Sequence, residues 1–154
     1  MIEVDERIDV PAAPHAVWEV LADPRAVVAC VQGAALGDAH EDGSFDASLL
    51  VKFGPAKVTF RARVALELDG AAMSGRVSSR GKDSQGGTRF HAAMNFKVAP
   101  RADAPGSTLT IAAQVEITGR LSTVVESGAS LVVKRMTADF SQRLAARLAE
   151  ASAA

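Results

Sequence analysis

Along residues 2–10 apolar and polar positions alternate. Ile2, Val4, Ile8 and Val10 fall on one side, and Glu3, Asp5, Arg7 and Asp9 on the other. A period of two predicts a strand with one buried face. Glu6 falls on the apolar side, so this strand carries one charge near a rim or facing an interior space. Pro11 and Pro14 stop the strand. A short helix follows from Pro14, with Val17, Trp18 and Leu21 as its apolar stripe. Asp23-Pro24 ends it and starts a second short helix over about Pro24–Ala29. Cys30-Val31-Gln32-Gly33 then reads as a loop.

Period-two patterning returns and persists for some eighty residues. A weak strand is expected over 34–41. Phe45, Ala47, Leu49, Val51 and Phe53 line one side of the next, and Gly54-Pro55 breaks it. Val58, Phe60, Ala62, Val64, Leu66 and Leu68 then alternate with Lys57, Arg61, Arg63 and Glu67. Asp69-Gly70 marks a hairpin. Met73, Gly75, Val77, Ser79 and Gly81 form a weakly apolar inner side, and Gly86-Gly87 turns the chain again. Phe90, Ala92, Met94, Phe96 and Val98, and after a loop at 100–106 Leu109, Ile111, Ala113, Val115 and Ile117, complete the series. At about Arg120 the period changes to 3.6. Leu121, Val124, Val125, Gly128, Leu131, Val132, Met136, Phe140, Leu144 and Leu148 predict one amphipathic helix of about 25 to 30 residues. Gly128 inside it costs roughly 1 kcal/mol against alanine, which a close approach by a strand or ligand, or a mild bend, would explain.

Short turns between successive strands imply an antiparallel meander. Only one long helix is available to cover its apolar face. The fold class expected is therefore α+β: a curved antiparallel sheet of about seven strands wrapped around a long C-terminal helix, with two short helices after the first strand. One domain spans 1–150, and 151–154 form a short tail. A sheet curved around a single helix encloses space, and the small inward residues Ala47, Ala62, Gly75, Ala92 and Ala113 enlarge it.

Composition sharpens this point. Thirty of the 154 residues are alanine, against six Phe, one Trp and no Tyr. On the inward face of a sheet, that imbalance favours a hollow interior with few phenolic donors. The single cysteine, Cys30, excludes an internal disulfide framework. No apolar run approaches the ~20 residues of a membrane-spanning helix, and the acidic, alternating start is unlike a targeting peptide. A soluble cytoplasmic protein is the expectation, with peripheral contact at the inner face of a membrane left open. Net charge is −1, but residues 1–50 carry −8, residues 51–119 carry +5 and residues 120–154 carry +2. Strands from different parts of the chain would neutralise one another on pairing; the alternative is a polarised docking surface. Lys57, Arg61, Arg63, Arg76, Arg80, Arg89 and Lys97 fall on outward positions and form a basic outer face for an acidic partner or an anionic lipid. Nucleic acid is not an expected partner, since exposed aromatics for base stacking are lacking.

Three stretches carry a family resemblance: Val10-Pro11-Ala12-Ala13-Pro14-His15-Ala16-Val17-Trp18 through Asp23-Pro24, Phe53-Gly54-Pro55 through Val64, and Gly119-Arg120-Leu121 with Val133-Lys134-Arg135-Met136-Thr137-Ala138-Asp139-Phe140. They resemble the helix-grip (START/Bet v 1-like, SRPBCC) superfamily and, within it, the carbon monoxide dehydrogenase G-subunit family. The family loop reads Cys-x-Pro-Gly where this chain has Cys30-Val31-Gln32-Gly33. The resemblance implies an accessory protein of a molybdenum hydroxylase of carbon monoxide dehydrogenase type. It would bind a hydrophobic small molecule, such as a quinone or a lipid-like compound, without catalysing a reaction. A docking or membrane-recruitment factor without a ligand is the alternative, and a START-like cyclase or hydrolase a third reading, for which Glu6 is the inward charge to test.

No catalytic motif competes with this reading. His15, His40 and His91 sit in different elements, and no Gly-x-Ser-x-Gly elbow, Walker loop or dinucleotide fingerprint occurs. Neither a catalytic residue nor a metal site is expected, and the only bound group expected is the quinone or other hydrophobic ligand. The residues expected to line its cavity are Trp18, Phe45, Leu49, Phe53, Phe60, Phe90, Met94, Phe96, Val132, Met136 and Phe140, since small-molecule pockets are mostly apolar.

Overall fold

The structure, a computed structural model, describes residues 1–153. Strand β1 (Ile2–Val10) leads into helices α1 (Pro14–Leu21) and α2 (Pro24–Ala29). Strands β2 (Ala34–Ala39), β3 (Phe45–Phe53), β4 (Ala56–Asp69), β5 (Ser74–Asp83), β6 (Thr88–Pro100) and β7 (Ser107–Gly119) follow, and helix α3 (Ser122–Ala153) ends the described chain. All seven strands form one antiparallel sheet in the order β1-β7-β6-β5-β4-β3-β2. The meander accounts for every neighbour except one. β1 crosses to pair with β7, so the first strand in the chain lies beside the last.

Local chemistry sets the element ends. Pro14 opens the first turn of α1, and the Asp23 carboxylate caps α2 by accepting from the Arg25 N–H at 3.1 Å. The Ser107 hydroxyl donates to the Ala12 carbonyl at 2.6 Å, pinning the start of β7 to the β1–α1 bend. At the other end of the sheet, the Leu121 N–H donates to the buried Thr88 hydroxyl at 2.9 Å, fixing where α3 begins.

Three details depart from the sequence reading. The hairpin after β4 is longer than a two-residue Asp-Gly turn. Asp69 pairs with Ser74, and Met73, which the alternation places on the strand, lies in the turn at φ 50°. Helix α3 runs for 32 residues, through residues 151–153 assigned to a tail; residue 154 of that tail lies outside the described residues. Within α3, Val124 and Leu131 are 40% and 55% exposed, so the buried stripe is narrower than the apolar one.

Gly128 has a direct explanation. A Cβ there would sit 3.0 Å from the Phe53 ring, so the missing side chain lets α3 press against β3. Helix α3 makes its main backbone approaches to β1, β3 and β7. These are the two flanks of the curled sheet, and the central strands β4–β6 pass beneath the helix at greater distance.

Candidate functional site: an apolar band between two cores

The register aligns inward residues into rows that run across the sheet. At one end, Val51, Phe53, Val58, Ile117 and Val125 form a buried cluster, with Leu49, Phe60, Phe90, Leu121 and Val132 packed on it. At the other end, Ile8, Val10, Phe96, Val98, Leu109, Leu144 and Leu148 bury together with Val17 and Leu21 of the short helices. Between them runs the row Phe45–Val64–Ser79–Ala92–Val115 and, one step on, Val77–Met94–Ala113. Phe45, Val64, Ser79, Ala92, Met94 and Val115 join neither cluster and are half-buried.

Helix α3 repeats the same pattern along its length. Val125 and Leu144 are buried at its two ends, while Val132, Met136 and Phe140 between them are only half-buried. Spacings of four residues set each of Val132, Met136, Phe140, Leu144 and Leu148 beside the one before it, along a line that winds by about 40° per step. That line therefore joins packed core at each end and is partly accessible in the middle.

The cavity residues expected from sequence divide accordingly. Phe53 and Phe96 are buried within the two clusters. Phe45, Met94 and Met136 lie in the band. Leu49, Phe60, Phe90 and Val132 border it from one cluster, and Trp18 and Phe140 from the other, all half-buried. Phe60 and Phe90 meet edge to face at 5.4 Å between centroids. Trp18 lies 6.1 Å from Phe96, and a Cβ at Gly70 would sit 3.9 Å from its Nε1, so the β4–β5 hairpin tip reaches the short helices.

Not every small inward residue widens the interior. A Cβ at Gly75 would collide with the Phe96 ring, so the ring fills that space, and Ala113 is itself buried. Ala47, Ala62 and Ala92 remain half-buried on the inner face.

The polar content of the interior is sparse. Glu6 is half-buried opposite Ile111. A second inward carboxylate, Asp83, escaped the sequence reading because it closes β5 at a turn. It is 3% exposed, and its Oδ1 accepts from the Gln85 and Gly86 N–H groups at 2.7 Å each. Burial raises its pKa, but the hydrogen bonds from Gln85, Thr88, Gly86 and Gly87 together outweigh that and hold it below the ordinary carboxylate value. The signal in the sequence is Asp83-Ser84-Gln85-Gly86, an Asx turn ahead of a glycine. Asp83 pairs with Phe60, whereas the row of Glu6 reaches β5 at Gly75. Eight residues along a strand separate the two levels by about 26 Å, so the two carboxylates do not form an acid–base pair.

Each histidine lies against a carboxylate: His15 and Glu19 at 2.9 Å, His40 and Asp46 at 2.8 Å, and His91 and Glu116 at 2.9 Å. Among the described residues no three His, Cys, Asp or Glu gather as metal ligands. Cys30 is buried. Burial pushes its thiol up, against the opposing pull of Arg147 and Arg143, which disfavours the nucleophilic thiolate. Among the described residues, no helix is long and apolar enough to cross a membrane.

Comparison with known proteins agrees with this architecture. The family model described as the carbon monoxide dehydrogenase G-subunit (CoxG) matches residues 7–149. Among solved structures, a conserved protein from Geobacillus kaustophilus superposes with TM-score 0.81 at 19% identity, over 97% of this chain and 96% of that one. A START superfamily protein from Mycobacterium smegmatis gives 0.59 at 16% identity, over 96% and 97%. The Zhui aromatase/cyclase from a Streptomyces species gives 0.60 at 15%, over 96% and 93%. At these identities the likeness establishes the START/Bet v 1-like fold. A search of curated proteins matches none of them.

Proposed function

The chain belongs to the CoxG family of carbon monoxide dehydrogenase, and from that premise we propose that it carries a quinone-like molecule between the sheet and α3, as an accessory to a molybdenum hydroxylase of carbon monoxide dehydrogenase type. Family and fold support a hydrophobic ligand-binding accessory role in general. The observation that carries the finer reading is the half-buried apolar band between two buried cores. A flat ring with an apolar tail suits it. Met94 and Met136 offer adaptable thioether walls, Phe45 an aromatic one, and Ser79 one hydroxyl on the same row. Binding would draw on apolar burial at about 25 cal/mol per Å², with little polar selection.

Native mass spectrometry and thermal shift with short-chain benzoquinones and naphthoquinones test this. The expected result is a one-to-one complex and a raised Tm. Ala92→Phe, which fills the band from the sheet side, is expected to abolish the complex while the protein stays folded. Absence of stabilisation by any quinone, or unchanged binding by Ala92→Phe, would overturn it. Co-purification with a molybdenum hydroxylase tests the accessory role separately.

A further inference from the structure

The convex face of the sheet holds a second recess, unrelated to the apolar band. It measures about 490 Å³ and is bounded by Arg61 of β4, Arg80 and Lys82 of β5 and Arg89 of β6, with His91 and Glu116 along one side. That volume falls in the range of small-molecule sites. Gly81 and Phe90 also line it. A Cβ at Gly81 would collide with the Arg61 carbonyl, so β4 and β5 approach each other there more closely than any other residue would allow.

The charges around this recess are arranged against ordinary sheet stability. Arg61 lies directly opposite Lys82, Lys82 opposite Arg89, and Arg80 between Arg63 and His91. Like charges directly opposite each other destabilise a sheet. Neighbours at the edge of the group have partners, Arg63 with Asp42 at 3.5 Å and His91 with Glu116. Arg61, Arg80, Lys82 and Arg89 have no ion-pair partner among the described residues.

Most of the acidic N-terminal third lies away from these four, and Asp46 of β3, opposite Arg63 and beside Arg61, is held by His40 at 2.8 Å. Glu3, Asp5 and Asp9 ride on β1, beyond β7, and Asp38 on β2, beyond β3. Acid from that third reaches the β3 side of the group, where Asp42 meets Arg63, and it leaves Arg80, Lys82 and Arg89 on β5 and β6 without a partner among the described residues. Three guanidinium groups and one ammonium converging on one recess match a multiply charged oxyanion, and arginine forks bind phosphate in two-pronged fashion. We propose that the recess is a binding site for a phosphoryl group, borne either by a soluble phosphate ester or by a lipid headgroup.

Pyrophosphate is the probe, read by thermal unfolding against chloride at matched ionic strength. A Tm rise of about 3–5 °C at ten times the dissociation constant is expected. Arg80→Ser and Arg89→Ser, both at exposed positions, are each expected to lose that rise. Each is also expected to raise the Tm of the anion-free protein, because like-charge repulsion is relieved. Arg135→Ser on the remote face of α3 is expected to keep the pyrophosphate rise. Vesicles of phosphatidic acid in phosphatidylcholine separate the two sources. Sedimentation that pyrophosphate competes away assigns a lipid headgroup, and a pyrophosphate rise without sedimentation assigns a soluble ester. An equal rise in chloride, or a rise preserved in both Arg80→Ser and Arg89→Ser, would overturn the proposal.

Discussion

The interior of this protein is built in two manners along one helix. At its ends α3 meets close-packed rows, with Leu144 fully buried against Ile8, Val10 and Leu109 at one end and Val125 against Val51, Phe53 and Val58 at the other. Midway along the helix and the sheet, Met136, Ala92, Ser79 and Val64 join neither cluster and stay partly accessible. Both regions are apolar, so hydrophobicity does not separate them. Side-chain volume and the distance from helix to strand do. The ends supply the stability that allows the middle to stay half-buried, since apolar area removed from water, and not apolar composition, drives folding.

The sharpest way to break this comparison is to truncate one residue in each region. Leu144→Ala removes a fully buried side chain and should cost about 2–5 kcal/mol. Met136→Ala, two turns earlier along the same line, should cost about 1 kcal/mol, because its surface is already partly wet. Urea unfolding of both variants without ligand measures the difference. Equal losses would mean that the band is packed core.

A smaller effect is expected where the helix leans on the sheet. Gly128→Val places a branched side chain against the Phe53 ring and should cost about 1–3 kcal/mol. Gly128→Ala should lie nearer neutral, because its gain in helix propensity of roughly 1 kcal/mol offsets the tight contact. Urea midpoints for the pair decide whether the glycine is there for close approach. A destabilisation that grows from Ala to Val supports this, and two stabilised variants would refute it.

Asp83 probes the same end of the interior through pH. Its folded pKa is lowered, so its charge stabilises the fold above the unfolded value of about 3.9. That contribution is lost as pH falls through the lower folded value. Asp83→Asn should therefore be less stable than wild type at neutral pH, with the gap closing below about pH 4. Urea midpoints across that range measure it, and a gap independent of pH would show that the carboxylate charge contributes nothing.

How far the fold was legible follows from which interactions are local. Alternation located every strand, because a one-sided sheet imposes period two on each strand by itself. The Gly-Gly turn at 86–87 and the prolines that open α1 and α2 act within a few residues and were equally readable. Met73 was misplaced because the length of the hairpin depends on how Asp69 and Ser74 pair. Gly75 looked like empty space because the Phe96 ring that fills it comes from the neighbouring strand. The charge pattern was legible only in part for the same reason: Asp42 meets Arg63 and Asp9 meets Arg101, while Arg80, Lys82 and Arg89 stay unpaired among the described residues. Whether acidic β1 faces basic β4 is decided by strand order, and β1 pairs with β7. The band itself was legible as an excess of small inward residues, but its limits depend on where α3 approaches the sheet.

The exposed apolar residues of α3 supply the smallest expected effect and the finest test of where the helix faces. The sequence offers Val124, Val125, Leu131 and Val132 as one apolar stripe. Successive residues are rotated by about 100°, so a helix that meets the sheet along a single line can bury only one member of each pair. The structure buries Val125 and packs Val132 on its cluster, leaving Val124 and Leu131 to solvent. Leu131→Gln should therefore change stability by no more than about 0.5 kcal/mol, whereas Val125→Gln, which puts an amide into the cluster, should cost about 1–3 kcal/mol. Thermal and urea unfolding of both distinguish them. If Leu131→Gln proves as costly as Val125→Gln, the helix is rotated from the orientation described, and Met136, five residues further along, would no longer face the band.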